Sequence, residues 1–441
     1  MLQKIKSYIA GFITSNHIYK NLLSGSLIIF TSSVLVNGFS FLFNLATARN
    51  LSVENYGILQ TMLSLFYMLT TLTALVSIQL TKQLSKYTSR KNYSSASALV
   101  NKSNLFVIIV GVVSLSSFMI ISNIGDISIG SVTSGNLFIV ILLTTLGYLL
   151  SINKSLMRAN LLFSALALNS IFQAVSKLII FFPLLFLGFN LNGAIWSLFI
   201  SGILTFLYSI WQLRDRLFIN PFEKINFSVK TFTKESVYAI VGITGLISLI
   251  SVDLILVQHY LTDLAGYYAA LTLSGKAILL TTAPLSIVLF PTIINAKSNV
   301  VGKKLFKIAI LGVFVLGSSV FLLYLLIPKQ LVSFALSPTY YTIIPLLPHY
   351  SLSILFYTVS NIIVNGFIAL DEFIPGYLAF FAAVLQIIGI FYLHDSLNNI
   401  VMISLFINIG LTSCLIFFTL IKLSKITKRY YYSKALSDFT P

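Results

Sequence analysis

The chain predicts an all-α polytopic membrane protein, with about twelve transmembrane helices in two six-helix bundles around a central cavity. Three observations predict it. Of its 441 residues, 57% are hydrophobic and only 9% are charged. Apolar runs long enough to cross ~30 Å of hydrocarbon as helices recur from end to end, and a helix satisfies its own backbone hydrogen bonds in lipid. Only Lys177, Asp253 and Lys276 lie deep inside such a run. A charge at bilayer depth is costly, so each marks a candidate site. No polar stretch is long enough for a separate soluble domain. The pattern implies a polar pathway through the membrane, and therefore transport rather than chemistry.

The spans follow in order at 24–47, 55–81, 103–122, 136–153, 161–187, 191–212, 235–260, 265–296, 305–327, 344–369, 374–393 and 398–421. Ahead of them, Lys4, Lys6 and Lys20 surround Ile5, Ile9, Phe12 and Ile13. That is the composition of an interfacial segment rather than a signal peptide. The spans divide into bundles at 1–212 and 235–421. A basic linker loop, 213–234, joins them, and a basic tail, 422–441, follows.

The formal net charge is +17. With the N-terminus placed inside, 24 of the 28 Lys and Arg fall on inner segments, Arg49 and Lys329 fall outside, and Lys177 and Lys276 are within spans. So uneven a split obeys the positive-inside rule and places both termini on the cytoplasmic side. The same rule accounts for the basic loops without nucleic acid, although those loops could also touch polysaccharide assembly proteins. Cys414 is the single cysteine, so no disulfide framework exists. His17, His259, His349 and His394 show no metal-ligand spacing. No phosphate-binding Walker loop is present. No cofactor is expected; a proton or sodium gradient is the candidate drive.

An internal echo supports two halves. Arg49-Asn50-Leu51-Ser52-Val53-Glu54-Asn55-Tyr56-Gly57 and His259-Tyr260-Leu261-Thr262-Asp263-Leu264-Ala265-Gly266-Tyr267 both place Leu-Ser/Thr, an acid and a Gly beside Tyr in a short outer turn. Each half has an even number of spans, so the repeats are parallel, related by an axis along the membrane normal. These turns, the stretch Asn21-Leu22-Leu23-Ser24-Gly25-Ser26 and the run Val252-Asp253-Leu254-Ile255-Leu256-Val257 resemble the Wzx-type polysaccharide flippases of the multidrug/oligosaccharidyl-lipid/polysaccharide exporter superfamily. The resemblance covers nearly the whole chain, and its motifs are diffuse. It implies alternating access between two bundles. The implied cargo is an undecaprenyl-pyrophosphate-linked oligosaccharide bound for O-antigen or capsule.

Helical spacing sorts the polar residues of the spans onto faces. Asn37 and Asn44 fall on one stripe of the first span, and Gln60 and Tyr67 on one of the second. Asn169, Gln173 and Lys177 are spaced by four, as are Thr272 and Lys276, and as are Tyr357, Asn361 and Asn365. Interhelical hydrogen bonding explains any one uncharged stripe; a shared water-filled cavity explains them together. At ~1.5 Å per residue, Lys177 and Lys276 both lie near the midplane, one from each half. Two ammonium groups at matched depth need an anion between them. With the cargo that the resemblance implies, they become the pyrophosphate site, with Arg49 at the outer mouth and Arg158 at the inner mouth. Asp253 has two readings: a salt bridge to Lys276, or a proton or sodium site that couples transport.

Rival classes are weaker. A polyprenol-dependent glycosyltransferase uses acids in its first outer loop, which here holds only Glu54. A polymerase has a large outer loop, and the longest here, about 328–343, is short. The chain is therefore not expected to be an enzyme. A cation-coupled multidrug exporter of the same superfamily is the closer rival. Such exporters want acids in the cavity, whereas this chain buries two lysines and one aspartate.

Overall fold

A computed structural model describes residues 17–125, 127–217, 219, 234–294, 299–368, 370 and 372–437. Most of the interfacial segment predicted over 1–20 and most of the linker 213–234 lie outside these residues. Fifteen α-helices make up the described chain: α1 (His17–Asn50), α2 (Val53–Thr70), α3 (Leu72–Ser89), α4 (Tyr93–Ile124), α5 (Ser134–Ala159), α6 (Phe163–Phe186), α7 (Asn190–Leu217), α8 (Lys234–Ser248), α9 (Val252–Tyr260), α10 (Ala265–Ile294), α11 (Asn299–Leu326), α12 (Pro328–Ala335), α13 (Leu347–Ile368), α14 (Ile374–Tyr392) and α15 (Leu397–Ser437). Among the described residues the β structure amounts to an isolated bridge between Ile129 and Val132.

Among the described residues, nine helices are long and apolar enough to cross a membrane, or eleven if each of two bent pairs is one span. The remaining predicted span coincides with the 30-residue α10. The apolar residues face outward as well as inward. Helix α4 exposes Leu105, Phe106, Ile109, Val112, Val113 and Ile120, an apolar wall that suits a lipid solvent and that water would not tolerate at this size.

The chain stops and turns where local chemistry dictates. Ser52, Asn92 and Thr133 cap α2, α4 and α5 by accepting from Asn55, Ser95 and Asn136 backbone N–H groups. Lys91 (φ 56°) and Leu161 (φ 54°) take the left-handed position after α3 and α5. There the amides of Asn92 and Leu162 reach back to Tyr87 and Met157 carbonyls, the double closure of a Schellman turn.

Two predicted spans are not continuous helices. The second is interrupted at Thr71, between α2 and α3, where Thr70, Thr71 and Thr73 hydroxyls bond back to carbonyls of the preceding turn and so compete with the backbone ladder. The seventh breaks at residues 249–251, and α8 and α9 meet at 46°. The break frees the Leu249 carbonyl, which accepts from Gln386 Nε2 on α14. Two further boundaries differ. The fourth span, helix α5, continues to Ala159, which brings Lys154 and Arg158 into it. The short segment 328–343 folds as an elbow, with α12 at 98° to α11 and a 3-10 turn over Pro338–Ile343.

Helices α1–α7 pack mainly on one another, as do α8–α15; α1 lies on α6 and α6 on α7, while α13 lies on α15 and α8 on α14. The α8–α14 contact is close enough that a Cβ built on Gly245 would sit 2.4 Å from the Phe380 amide nitrogen. Gly245→Val is expected to destabilise the fold by ~1–3 kcal/mol, the usual range for overpacking. A lowered melting temperature in detergent would register it.

The two sets meet along a seam between α1–α2 and α9–α10. The two echoed turns touch there. A Cβ on Gly57 would stand 2.7 Å from the Gly266 nitrogen, and one on Gly266 would stand 1.9 Å from the Val53 carbonyl oxygen. Only glycine permits so close a backbone approach. The loop after α4 joins them, with Gly130 (φ 55°) against the Gln258 carbonyl. The elbow closes over the same end: Arg49 Nε donates to the Leu336 carbonyl at 3.0 Å and the Tyr340 hydroxyl to the Ala48 carbonyl at 3.3 Å. Tyr340 packs edge-on against both Tyr56 and Tyr267, the tyrosines of the two echoed turns. This turn end is therefore sealed by backbone contact, aromatic rings and hydrogen bonds.

Candidate functional site

Below the seal a polar chain crosses the protein. Lys177, on α6, donates to Ser40 Oγ on α1 at 3.0 Å and lies 5.3 Å from the centre of the Phe43 ring. The Asn44 amide, one helical turn on, donates to the Ser40 carbonyl at 2.8 Å. Gln60 Nε2, on α2, donates to Asn44 Oδ1 at 2.7 Å. Lys276, on α10, donates to Gln60 Oε1 at 3.1 Å. The two lysines of the two sets are thus joined through Ser40, Asn44 and Gln60. Every acceptor in the chain is neutral. Two ammonium groups share it with no carboxylate between them.

The cavity beside this chain measures about 230 Å³ and is lined from α1, α2, α5, α6 and α7. Ser40, Asn44, Tyr67, Gln173 and Lys177 face it. Its volume is far above the ~15 Å³ of probe-occupied space that one water needs, and its walls offer several polar partners, so it suits water. This cavity lies among helices of the first set. The sets meet through backbone contact at the turn end and through the Gln60–Lys276 bond below it.

The structure separates the remaining sequence-derived candidates. Gln60 is buried and Tyr67 is 44% exposed toward the cavity. Asn37 is half-buried on α1 and does not line the cavity. Asn169 turns away from it; the amide is fully buried against α7 and donates to the Thr205 carbonyl at 3.2 Å. Ser170 takes its place on the wall. Thr272 is buried and bonds to the Ala269 carbonyl of its own helix. The stripe on α13 serves packing. The Tyr357 hydroxyl donates to the Leu246 carbonyl at 3.1 Å, and Asn365 bonds to Asn361. None of Asn169, Thr272, Tyr357, Asn361 and Asn365 lines this cavity. A helical stripe records a shared face, and these faces find a neighbouring helix or their own backbone.

The salt bridge between Asp253 and Lys276 is corrected: no such contact within 4.0 Å exists among the described residues. The break at 249–251 places Asp253 in the first turn of α9. There its Oδ1 accepts from the Leu254 N–H and its Oδ2 from the Tyr268 hydroxyl, both at 2.8 Å. A helix N-terminus offers free N–H groups and a positive dipole end, so the carboxylate is held by hydrogen bonds rather than by a salt bridge. Reading 235–260 as one helix hid this partner.

Arg49 is spent on the seal, as described. Arg158 is exposed on α5 and donates to Ser77 Oγ on α3. One turn before it, Lys154 donates to Gln173 Oε1 at 3.3 Å. Lys177, Gln173, Lys154 and Arg158 therefore step along α6 and α5 as a cationic wall. Lys154 escaped the sequence reading because the fourth span was ended at residue 153; the signal was its i, i+4 spacing to Arg158. Replacing both Lys154 and Arg158 by glutamine is expected to lower the transport rate several-fold while leaving the cavity intact, measured as export at limiting cargo.

The match to known proteins now decides the family. The family model described as "Polysaccharide biosynthesis protein" matches residues 22–297, more than half of the chain. The chain belongs to this family. No curated protein matches it significantly in sequence. Solved structures share its fold. An outward-facing multidrug resistance MATE family transporter of the MOP superfamily is 15% identical with a TM-score of 0.61, covering 91% of this chain and 96% of that one. An inward-facing one is 14% identical with a TM-score of 0.65, covering 91% and 99%. A MOP superfamily transporter from Pyrococcus furiosus, described as having a binding pocket of reverse polarity, is 13% identical with a TM-score of 0.58, covering 92% and 95%. This member of the polysaccharide biosynthesis family is thus a multi-pass membrane protein whose fold matches that of the solved MOP superfamily transporters.

Proposed function

We propose that the protein is a flippase that moves undecaprenyl-pyrophosphate-linked oligosaccharide repeat units across the bacterial inner membrane by alternating access, for O-antigen or capsule. The observation that carries this reading is the neutral chain between Lys177 and Lys276. The chain itself gives its two half-buried ammonium groups neutral acceptors and no salt bridge, and such charge inside a membrane is costly. A diphosphate supplies the missing charge and the acceptor oxygens. The family's link to polysaccharide biosynthesis supports the sugar.

In this reading the helices up to residue 212 and those from 235 are the two rocking halves, both termini are cytoplasmic, and the sealed turn end is the outer one. The cationic wall of Lys177, Lys154 and Arg158 then leads from the cytoplasmic side to the midplane. Arg49 meets the cargo only when the seal opens. Asp253, outside the chain, is the candidate coupling group: an intramembrane carboxylate can bind a proton or sodium ion. Asp253→Asn keeps an acceptor for Tyr268 and removes the charge. The expected result is a folded protein whose transport no longer responds to an imposed ion gradient in vesicles.

The test is to delete the gene in its host and weigh the undecaprenyl-linked lipids by mass spectrometry. Accumulated complete single repeat units with loss of surface polysaccharide support the flippase. Unchanged lipids, intact polysaccharide and new sensitivity to cationic dyes would instead support a multidrug exporter, the activity that the solved relatives' names carry.

A further inference from the structure

Gln60 occupies a position that the cavity reading alone does not explain. Its side chain is 1% exposed and lies seven residues into α2, ~10 Å below the sealed turn. Side-chain hydrogen bonds cross between the sets at more than one depth. Arg49 to the Leu336 carbonyl and Tyr340 to the Ala48 carbonyl sit at the turn end. Thr61 to Gln258, at 3.3 Å, and Lys276 to Gln60, at 3.1 Å, lie deeper. Of these, Lys276–Gln60 is the one that belongs to the polar chain.

The amide's orientation is fixed by chemistry. Lys276 carries only donors, so the Gln60 oxygen must face it; the NH₂ group is left for Asn44 Oδ1. The bond to Asn44 lies within the first set, and the bond to Lys276 joins the second set to it. A phosphate oxygen is a charged acceptor, and charge-assisted bonds are roughly twice as strong as neutral ones. An anion entering beside Lys276 therefore outcompetes the amide oxygen.

We propose that Gln60 is a positioning residue for Lys276 and a cargo-sensitive latch. Its amide oxygen holds the place on Lys276 that a diphosphate oxygen takes, so binding of the anion and release of the seam at this depth are one exchange. The inference rests on the diphosphate reading. Without cargo, the neutral amide keeps Lys276 extended across the seam and the two sets together. With cargo, Lys276 turns to the anion and Gln60 stays with Asn44. The seam then retains the long Thr61–Gln258 bond and the contacts of the turn end.

The test uses the full chain in lipid nanodiscs, with Cys414→Ser as background and spin labels on cysteines at Asn50 and Asp263, both exposed at the turn end. Inorganic pyrophosphate and undecaprenyl pyrophosphate are the probes. Gln60→Met keeps the length and removes the acceptor. It should widen the Asn50–Asp263 distance distribution without ligand and bind pyrophosphate at least as tightly as wild type. Gln60→Glu puts a carboxylate on Lys276. It should keep the short distance even with ligand and weaken pyrophosphate binding more than tenfold. Distances unchanged from wild type in Gln60→Met, with Gln60→Glu binding normally, would overturn the latch. If Lys177→Met weakens pyrophosphate binding in the same preparations, the diphosphate reading survives that failure. Pyrophosphate binding absent in wild type, or equal in wild type and Lys177→Met, overturns both.

Discussion

Lys177→Met is expected to abolish export of repeat units while leaving the protein folded and inserted. Methionine preserves the length and the packing over Phe43 and removes the charge. The lost charge-assisted bond to a phosphate oxygen is worth ~1.5–3 kcal/mol, which is a tenfold to over a hundredfold loss of affinity. Structure should survive, because Ser40 loses a donor into a cavity that suits water rather than becoming an orphan in a dry core. Pyrophosphate binding to purified protein reads the loss directly, and accumulated lipid-linked repeat units read it in cells. Lys177→Arg restores a cation with a different shape, so partial rescue would separate a need for charge from a need for the lysine side chain itself. Normal export by Lys177→Met would remove the basis for a diphosphate site.

Gly266→Val carries the second large effect, on conformation rather than binding. Its Cβ would enter the space of the Val53 carbonyl oxygen, and backbone cannot move aside as a flexible side chain can. The clash spans two sets of helices, so separating them relieves it. If overpacking costs ~1–3 kcal/mol here, the sealed arrangement loses about 5- to 150-fold in population relative to an open one. Thiol-reactive reagents should label a cysteine at Tyr56, which is buried in the seal, much faster in Gly266→Val than in a protein with glycine there. Gly57→Val should act in the same direction, because its Cβ meets the Gly266 backbone. Equal labelling rates in all three would mean that this contact does not hold the turn end shut. Transport should fail in both variants, because a cycle that cannot close at one end cannot complete.

These two predictions rest on features of different legibility. Lys177 and Lys276 stood out in the sequence, because an apolar run makes a lysine conspicuous and ~1.5 Å per residue fixes its depth. The glycines stood out only as parts of an echo between two turns. That the echoed turns press on each other required the tertiary structure, as did the elbow that covers them. The same holds for polar stripes. Asn44, Tyr67 and Gln173 on one side, and Asn169, Tyr357 and Asn361 on the other, look alike as spacings. Helix rotation and the choice of neighbour separate cavity walls from packing contacts, and neither is written in a periodicity.

The sequence by itself determined the membrane-embedded helical class and the positions of the apolar runs. It also marked the buried charges, because solvent transfer acts residue by residue and lipid penalises every error. Only the tertiary structure decided who partners whom. Asp253 takes Tyr268 and a helix N-terminus because its span breaks three residues earlier, where helical spacing alone would have continued. Lys154 joins the wall because its helix runs on to Ala159. Gln60 joins Lys276 to Asn44 because two helices far apart in the chain meet there. Pairing energies depend on distance and direction across the fold, and a linear pattern carries neither.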